Sequence, residues 1–460
     1  MAKKHKIGDF LIRIKRPMDL IPDKNYKLVT IKMNHKGVVL RGEKKGAFIK
    51  SKMYEVKKGD FILSGIDARN GAFGIVPQEL EGAIVTNDFW YFEIDENIIS
   101  KRLFLELTAT TWFDEICKRG SDGTTQRIRL QKDKFFNQEI NLPEGFEQEK
   151  LLNKLLSFKE NQTNLTVEIQ TQKSLLTQLK QAILQEAIQG KLTEAWGAQN
   201  PELITGENSA ATLLENIKAE KAQLVKEKKI KKEKLLPPIE KEEIPFELPE
   251  GWVWCRLGAV ITYLNGKGFN STDFQKHIGV KCIKITNAGV GEIIPTNDRL
   301  PLRFKEKHKE YLVYTNDIII ALTRPYISEG LKASLCPSSY NESLLNQRVA
   351  VIRGTSSTSN KYIYKYLRSD FVLNGFKNEF DLKGQQPNLK NEHIRHLIFP
   401  LPPLEEQKAI VKKVEALMEN CTALDQEITK SEQHAQMLMQ AVLKEAFERE
   451  DMEVSEETHI

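Results

Sequence analysis

The heptapeptide Gln181-Ala-Ile-Leu-Gln-Glu-Ala187 returns 259 residues later as Gln440-Ala-Val-Leu-Lys-Glu-Ala446. Working outward, residues 142–192 lie on 401–451 without a gap, and 17 of the 51 positions are identical. Leu142-Pro143 meets Leu401-Pro402, Glu147-Gln148 meets Glu406-Gln407, and Glu160-Asn161-x-Thr163 meets Glu419-Asn420-x-Thr422. Unrelated helices share Leu and Glu by composition, but not polar residues in one ungapped register. The chain therefore carries an internal duplication with a long period.

Each copy reads as one long helix. No proline interrupts 146–190 or 404–450, so the backbone ladder is free to run on. Leu151, Leu155, Phe158, Leu165, Ile169, Leu176, Leu179 and Ile183 fall on alternating steps of four and three once Gln162 and Gln172 are included. Ile410, Val414, Leu417, Cys421, Leu424, Ile428, Ala435, Leu438 and Val442 repeat the grid, with Ser431 opposite Gln172. This is a heptad seam. About 40 residues make a rod of roughly 60 Å, too long to bury its seam on one small domain. The seams are expected to pack on each other as an antiparallel coiled coil with a pseudo-two-fold relation, the shared polar position Gln172/Ser431 setting register. Packing of each seam on its own neighbouring domain is the alternative.

The parts before each helix match more faintly. Tyr54-Glu-Val-Lys-Lys-Gly-Asp-Phe-Ile-Leu-Ser64 resembles Tyr311-Leu-Val-Tyr-Thr-Asn-Asp-Ile-Ile-Ile-Ala321, and Ile7-Gly8 resembles Leu257-Gly258. Residues 27–33, 61–64, 83–86, 281–285, 317–322 and 348–352 read as strands. Residues 102–117 and 360–374 read as helices that follow the strands, which indicates α+β. Residues 196–208 read as loop. Residues 210–234 read as an amphipathic helix with a basic end (Lys226, Lys228, Lys229, Lys231, Lys232, Lys234), either a solvated terminus favoured by the dipole or a phosphate or partner contact. The expected organisation is a first domain at 1–143, a spacer helix at 144–192, a linker at 193–246, a second domain at 247–400, a second spacer helix at 401–450 and an acidic tail at 451–460.

Composition bounds the chemistry. A net charge of +5 over 460 residues permits nucleic-acid binding without establishing it. The start, Met-Ala-Lys-Lys-His-Lys, is not a secretory signal, and no apolar run is long enough to span a bilayer. Five scattered cysteines without a Cys-x-x-Cys pair fit a reducing cytoplasm. There is no Asn/Asp-Pro-Pro-Tyr/Phe motif; Leu236-Pro-Pro-Ile and Leu401-Pro-Pro-Leu lack its polar and aromatic ends. A phosphate-binding Gly-x-x-x-x-Gly-Lys-Ser/Thr loop and metal-ligand spacing are also missing. Asp60 and Asp317 sit in matched strands and read as structural. The chain is expected not to be an enzyme and to hold no metal.

Three passages carry a resemblance: Ile244-Pro-Phe-Glu-Leu-Pro-Glu-Gly-Trp252-Val-Trp254, Pro400-Leu-Pro-Pro-Leu-Glu-Glu-Gln407, and the helix end Gln181 to Leu192. Together they resemble the specificity subunits of type I restriction-modification enzymes. The resemblance implies two target recognition domains spaced by an antiparallel helical pair, each reading half of a split target on double-stranded DNA. It implies two modification subunits carrying S-adenosylmethionine, which methylate adenine, and restriction subunits carrying ATP and Mg, with no cofactor on this chain. The pattern departs in the first domain, which has no Leu-Pro-Glu-Gly-Trp before Ile7-Gly8 and leaves through Leu142-Pro-Glu-Gly-Phe146. Rival readings are the specificity partner of a two-subunit type II restriction-modification enzyme and a helical scaffold with two protein-binding domains.

Base readout needs Arg, Lys, Asn and Gln able to bond base edges. One glycine-containing polar loop offers Thr124, Gln126, Arg127 and Arg129. Its counterpart in the second domain offers Lys383, Gln385, Gln386 and Asn388, and in the resembling family such a loop recurs ahead of the spacer helix. Arg69-Asn70 and Arg324 follow matched strands, and Asn265 and Lys267 lie in a third loop. An ordinary polar surface loop, or an arginine paired with a strand-end carboxylate, is the competing account of each.

Overall fold

A computed structural model describes residues 2–108, 111–123, 128–381 and 387–448. The chain divides into two compact units, Met1–Ile169 with Lys430–Ile460, and Gln170–Thr429. Helices of 43 and 45 residues, Phe146–Ile188 and Leu404–Glu448, run through that division, as their proline-free windows require.

In the first unit the strand Ala2–Lys6 pairs antiparallel with Glu139–Pro143. Between them Leu11–Ile14, Phe89–Ile94, Phe61–Ser64 and Phe73–Ile75 form an antiparallel sheet in that order. A second sheet runs Pro17–Met18, Met53–Glu55, Ile84–Val85, Asn25–Ile31, Val38–Lys45, with one parallel pairing where Leu28 faces Ile84. Helices Lys101–Thr108 and Thr111–Arg119 close the core edge-on: Phe104 meets Phe61 at 5.0 Å and Phe113 at 5.6 Å, the geometry aromatic quadrupoles favour.

The second unit repeats this plan. Val253–Arg256 pairs with Ile398–Leu401. The order Ile261–Asn265, Val349–Gly354, Ile318–Ala321, Ala333–Leu335 reproduces the first four-stranded sheet strand for strand. In the other sheet Leu312–Val313, Ser343–Leu345, Val280–Ile283 and Asp298–Leu300 stand where Met53–Glu55, Ile84–Val85, Asn25–Ile31 and Val38–Lys45 stand, again with one parallel pair, Cys282 facing Leu344. The duplication thus extends over the domains, well beyond the helices that announced it. The class is α+β.

Matched polar residues do matched work. Asp60 accepts from Lys57 N at 2.8 Å and Asp317 from Tyr314 N at 2.7 Å, each closing the turn into a central strand. Each carboxylate also takes an arginine fork, Arg16 in one unit and Arg353 in the other. Gln148 accepts from Ser100 N, and Gln407 accepts from Ser359 N, each at the start of a domain helix. These side chains are repeated because they fasten a spacer helix to its own domain.

Several expectations change. Residues 102–117 and 360–374 are two helices each; in the second unit Asn360–Leu367 gives way to Asp370–Asp381 at Ser369, whose hydroxyl donates to Tyr366 O. Residues 196–208 are not loop but a short helix, Glu194–Gln199, and two 3-10 turns, Pro201–Leu203 and Gly206–Asn208. Ser209 caps the next helix by accepting from Thr212 N, and that helix ends at Lys226, not residue 234. Lys229 N bonds back to Leu224 O around Lys228, which has φ 59, the αL closure normally left to glycine. Lysines 228–234 therefore leave the helix, and a dipole does not explain them.

The seam is rotated. Leu155, Ile169, Leu176 and Ile183 are each 6% exposed, and Val414, Cys421 and Ile428 form the equivalent column. In the second expected column Leu165, Leu179, Leu424 and Leu438 are 38–56% exposed and Gln172 and Ser431 are exposed too, while Ile410, near the start of its helix, is buried. In the second unit the flanking column runs through Lys180 and buried Ala187 instead. Lys180 is half-buried and ends on Asp425 Oδ2 at 3.0 Å. Its long aliphatic stem makes it apolar for most of its length, which a count of hydrophobic letters misses. Thr193 donates to Glu406 at 2.8 Å, so contacts climb one helix as they descend the other: within this unit the pair is antiparallel.

Candidate nucleic-acid interface

In the second unit four loops converge at one end of the central sheet. Gly266 N bonds Val349 O at 3.1 Å and Lys267 N bonds Leu345 O at 3.0 Å. A Cβ on Gly266 would stand 1.7 Å from Asn346 O, so only glycine permits this approach. Leu322 N bonds Arg348 O at 2.9 Å, Arg324 N bonds Pro387 O at 3.0 Å, and Leu389 N bonds Leu322 O at 2.7 Å, while Thr323 bridges Asn388. The loops holding Asn265, Lys267, Arg324 and Asn388 are thus neighbours. Lys383, Gln385 and Gln386 lie outside the described residues.

Beside these loops is a concavity of about 1510 Å³, lined by the second domain and by one face of the helix pair. Its charged lining is Lys180, Arg324, Lys332, Arg348, Lys365 and Arg368 against Glu292 and Glu329. Six cations facing two anions attract a polyanion. Arg368 is steadied by Tyr364 Oη at 3.1 Å. Burial lowers the Lys365 ammonium from its ordinary pKa, opposed by the charge of Glu415. Asn265, Lys267 and Asn388 stand outside this lining; Lys267 turns its ammonium over the Tyr311 ring at 5.7 Å. Sequence reasoning missed Lys332, Arg348, Lys365 and Arg368.

The first unit arranges its counterpart differently. Arg69 and Asn70 lie in the 3-10 turn Ala68–Asn70, held by Asn34 N on Asn70 O at 2.8 Å and His35 N on Gly71 O at 3.0 Å. The hairpin Ser121–Asp122 with Arg129–Leu130 hangs from the same strand end, since Leu130 N bonds Gly65 O at 2.8 Å. Arg129 meets Asp88 at 3.1 Å, so this arginine has a carboxylate partner. Thr124, Gln126 and Arg127 lie outside the described residues. Asp88, directly before Phe89–Ile94, holds the place that Arg348 holds before Val349–Gly354. Opposite charges at one framework position give the two domains different surfaces.

Lys226, Lys228, Lys229, Lys231, Lys232 and Lys234 are exposed. Their segment is pinned to the second domain by Arg395 on Lys234 O at 3.1 Å and Arg256 on Pro237 O at 3.2 Å. All five cysteines are free and buried, and burial pushes the Cys255 and Cys282 thiols up to about 12. Among the described residues no His/Cys/Asp/Glu group has metal-site geometry, and no helix is long and apolar enough to cross a membrane.

The fold defines an internally duplicated α+β protein whose two like domains each adjoin half of a long helix pair. Residues 249–431 match the family described as type I restriction modification DNA specificity domain. The EcoAI specificity subunit of Escherichia coli is 39% identical over 249 residues, 54% of this chain and 40% of that subunit. The EcoEI specificity subunit of the same organism is 27% identical over 57% of this chain and 44% of its own length. The chain spans less than half the length of these curated relatives. Among solved structures, a chain of a type I R-M system shares the fold at TM-score 0.61, with 16% identity and 97% of both chains covered. The HsdS subunit from Thermoanaerobacter tengcongensis aligns at TM-score 0.53 with the same identity and coverage. Over residues 249–431 the chain is thus similar to the type I DNA specificity domain, and it shares the fold of the solved HsdS subunit.

Proposed function

We propose that this chain is the DNA-reading subunit of a type I restriction-modification enzyme and carries out no chemistry itself. Each domain reads one half of a two-part duplex target, and the spacer helices set the gap between the halves. Modification subunits, two per chain, bring S-adenosylmethionine and methylate adenine; restriction subunits bring ATP and Mg. The assembly works in the cytoplasm. The observation that carries this reading is one strand order used twice with opposite charges, Asp88 and Arg348, at one equivalent position, as suits two readers of different sequences. The cationic concavity beside the second domain's loops supports it.

The test is binding of the full chain, with its modification subunits, to pooled random duplexes. Selection should return two short fixed blocks separated by a constant unspecified gap. Log affinity should fall linearly with log salt, as expected when cations displace counterions from phosphates. Return of unselected sequence at every salt concentration would refute the reading.

A further inference from the structure

Three arginines of the second domain make no hydrogen bond or ion pair among the described residues; Arg303 lies over the Phe304 ring at 5.5 Å, and Arg324 and Arg348 remain. Arg256, Arg353, Arg368 and Arg395 all hydrogen-bond to protein partners. Within the described residues, the guanidinium groups of Arg324 and Arg348 make no hydrogen bond or ion pair, and both residues are exposed. Both hold positive φ, 48 for Arg324 and 66 for Arg348, a conformation that is costly for a long side chain and persists where surrounding structure enforces it. The enforcement is visible: Arg324 N is fixed on Pro387 O, and Arg348 O accepts from Leu322 N. They flank adjacent antiparallel strands, since Ala321 faces Val349, and both line the cationic concavity.

We infer that Arg324 and Arg348 are the base-reading residues of the second domain and that each recognises a guanine in its half of the target. The inference rests on the DNA-reading function proposed above. A guanidinium fork matches the O6 and N7 acceptors that guanine shows in the major groove, and this pairing separates G·C from the other pairs. A phosphate contact needs only a flexible charge, which Lys332 supplies nearby. An arginine held at a fixed, strained backbone position and left without a protein partner is suited to direction, not to charge alone. The first domain has Asp88 at the position of Arg348, so its block should lack the guanine assigned there.

The experiment selects random duplexes with the full chain and its modification subunits, comparing the unaltered chain with Arg324→Gln and Arg348→Gln. The unaltered chain should return guanine in one block, and each variant should relax one position of that block by about 10-fold or more while leaving the other block unchanged. Arg348→Lys, which keeps the charge, should relax the same position. A uniform loss across all sequences, or a block without guanine, overturns the inference yet leaves the DNA-reading function standing. If the unaltered chain selects nothing, that function fails first. Thermal melting of each variant distinguishes lost readout from lost folding.

Discussion

Asp317 is 2% exposed and answers two demands at once, the Arg353 fork and the Tyr314 amide. Removing it strands a half-buried guanidinium, and the destabilisation comes from that orphan more than from the lost pair. Asp317→Ala should therefore cost about 2 kcal/mol, read as a lower urea midpoint at an unchanged slope. Glu406 behaves differently. It is 3% exposed, and burial raises its carboxyl above the ordinary range against the opposing bonds from Thr193 and Trp252. A carboxyl whose folded pKa is raised binds its proton more tightly when folded. Its contribution is present in acid and is lost as pH climbs through the raised value. Glu406→Gln keeps the shape without the charge, so its melting temperature should exceed that of the unaltered chain near neutrality, with the gap closing as pH falls through the raised value toward the ordinary glutamate pKa of about 4.3. A gap that widens in acid would show that the buried carboxylate is stabilising.

At the scale of elements, the two columns of the spacer helix separate cleanly. Ile183 is 6% exposed and Leu179 is 45% exposed, four residues apart on one helix. Ile183→Ala should cost about 2–4 kcal/mol by leaving a cavity, whereas Leu179→Ala should stay within about 0.5 kcal/mol; denaturant titration of both tests the rotated seam. The long helices and their duplication were legible because proline-free length and heptad spacing are local properties. The column through Lys180 was not, because a charged residue's stem packs like a hydrocarbon only when a partner such as Asp425 awaits its end. Strands such as Phe61–Ser64 were legible from alternation and bulk. Val38–Lys45, with Arg41, Glu43, Lys44 and Lys45 along it, was missed because a solvated edge strand shows no apolar pattern. Arg324 followed from its matched strand, but its convergence with the loops at Asn265 and Asn388, and with Arg348, became visible only once sheet order placed them together.

For the whole molecule, the proposed division of labour makes the helices a length standard and the domains interchangeable readers. The two should then vary independently. Gln148 and Gln407 fasten each helix to its own domain through matched bonds to Ser100 and Ser359, so inserting residues well away from these bonds changes length without loosening a reader. Adding one heptad to each helix at equivalent positions, between residues 172 and 173 and between 431 and 432, preserves the buried columns, because the apolar period is seven. Seven residues add about 10 Å, close to three base pairs at about 3.4 Å each. Random-duplex selection with the lengthened chain and its modification subunits should return the same two blocks with the gap widened by about three base pairs. Insertion into one helix alone lengthens one rod and not its partner, and should weaken binding to every target. An unchanged gap with both blocks intact would show that something other than the helices sets the spacing.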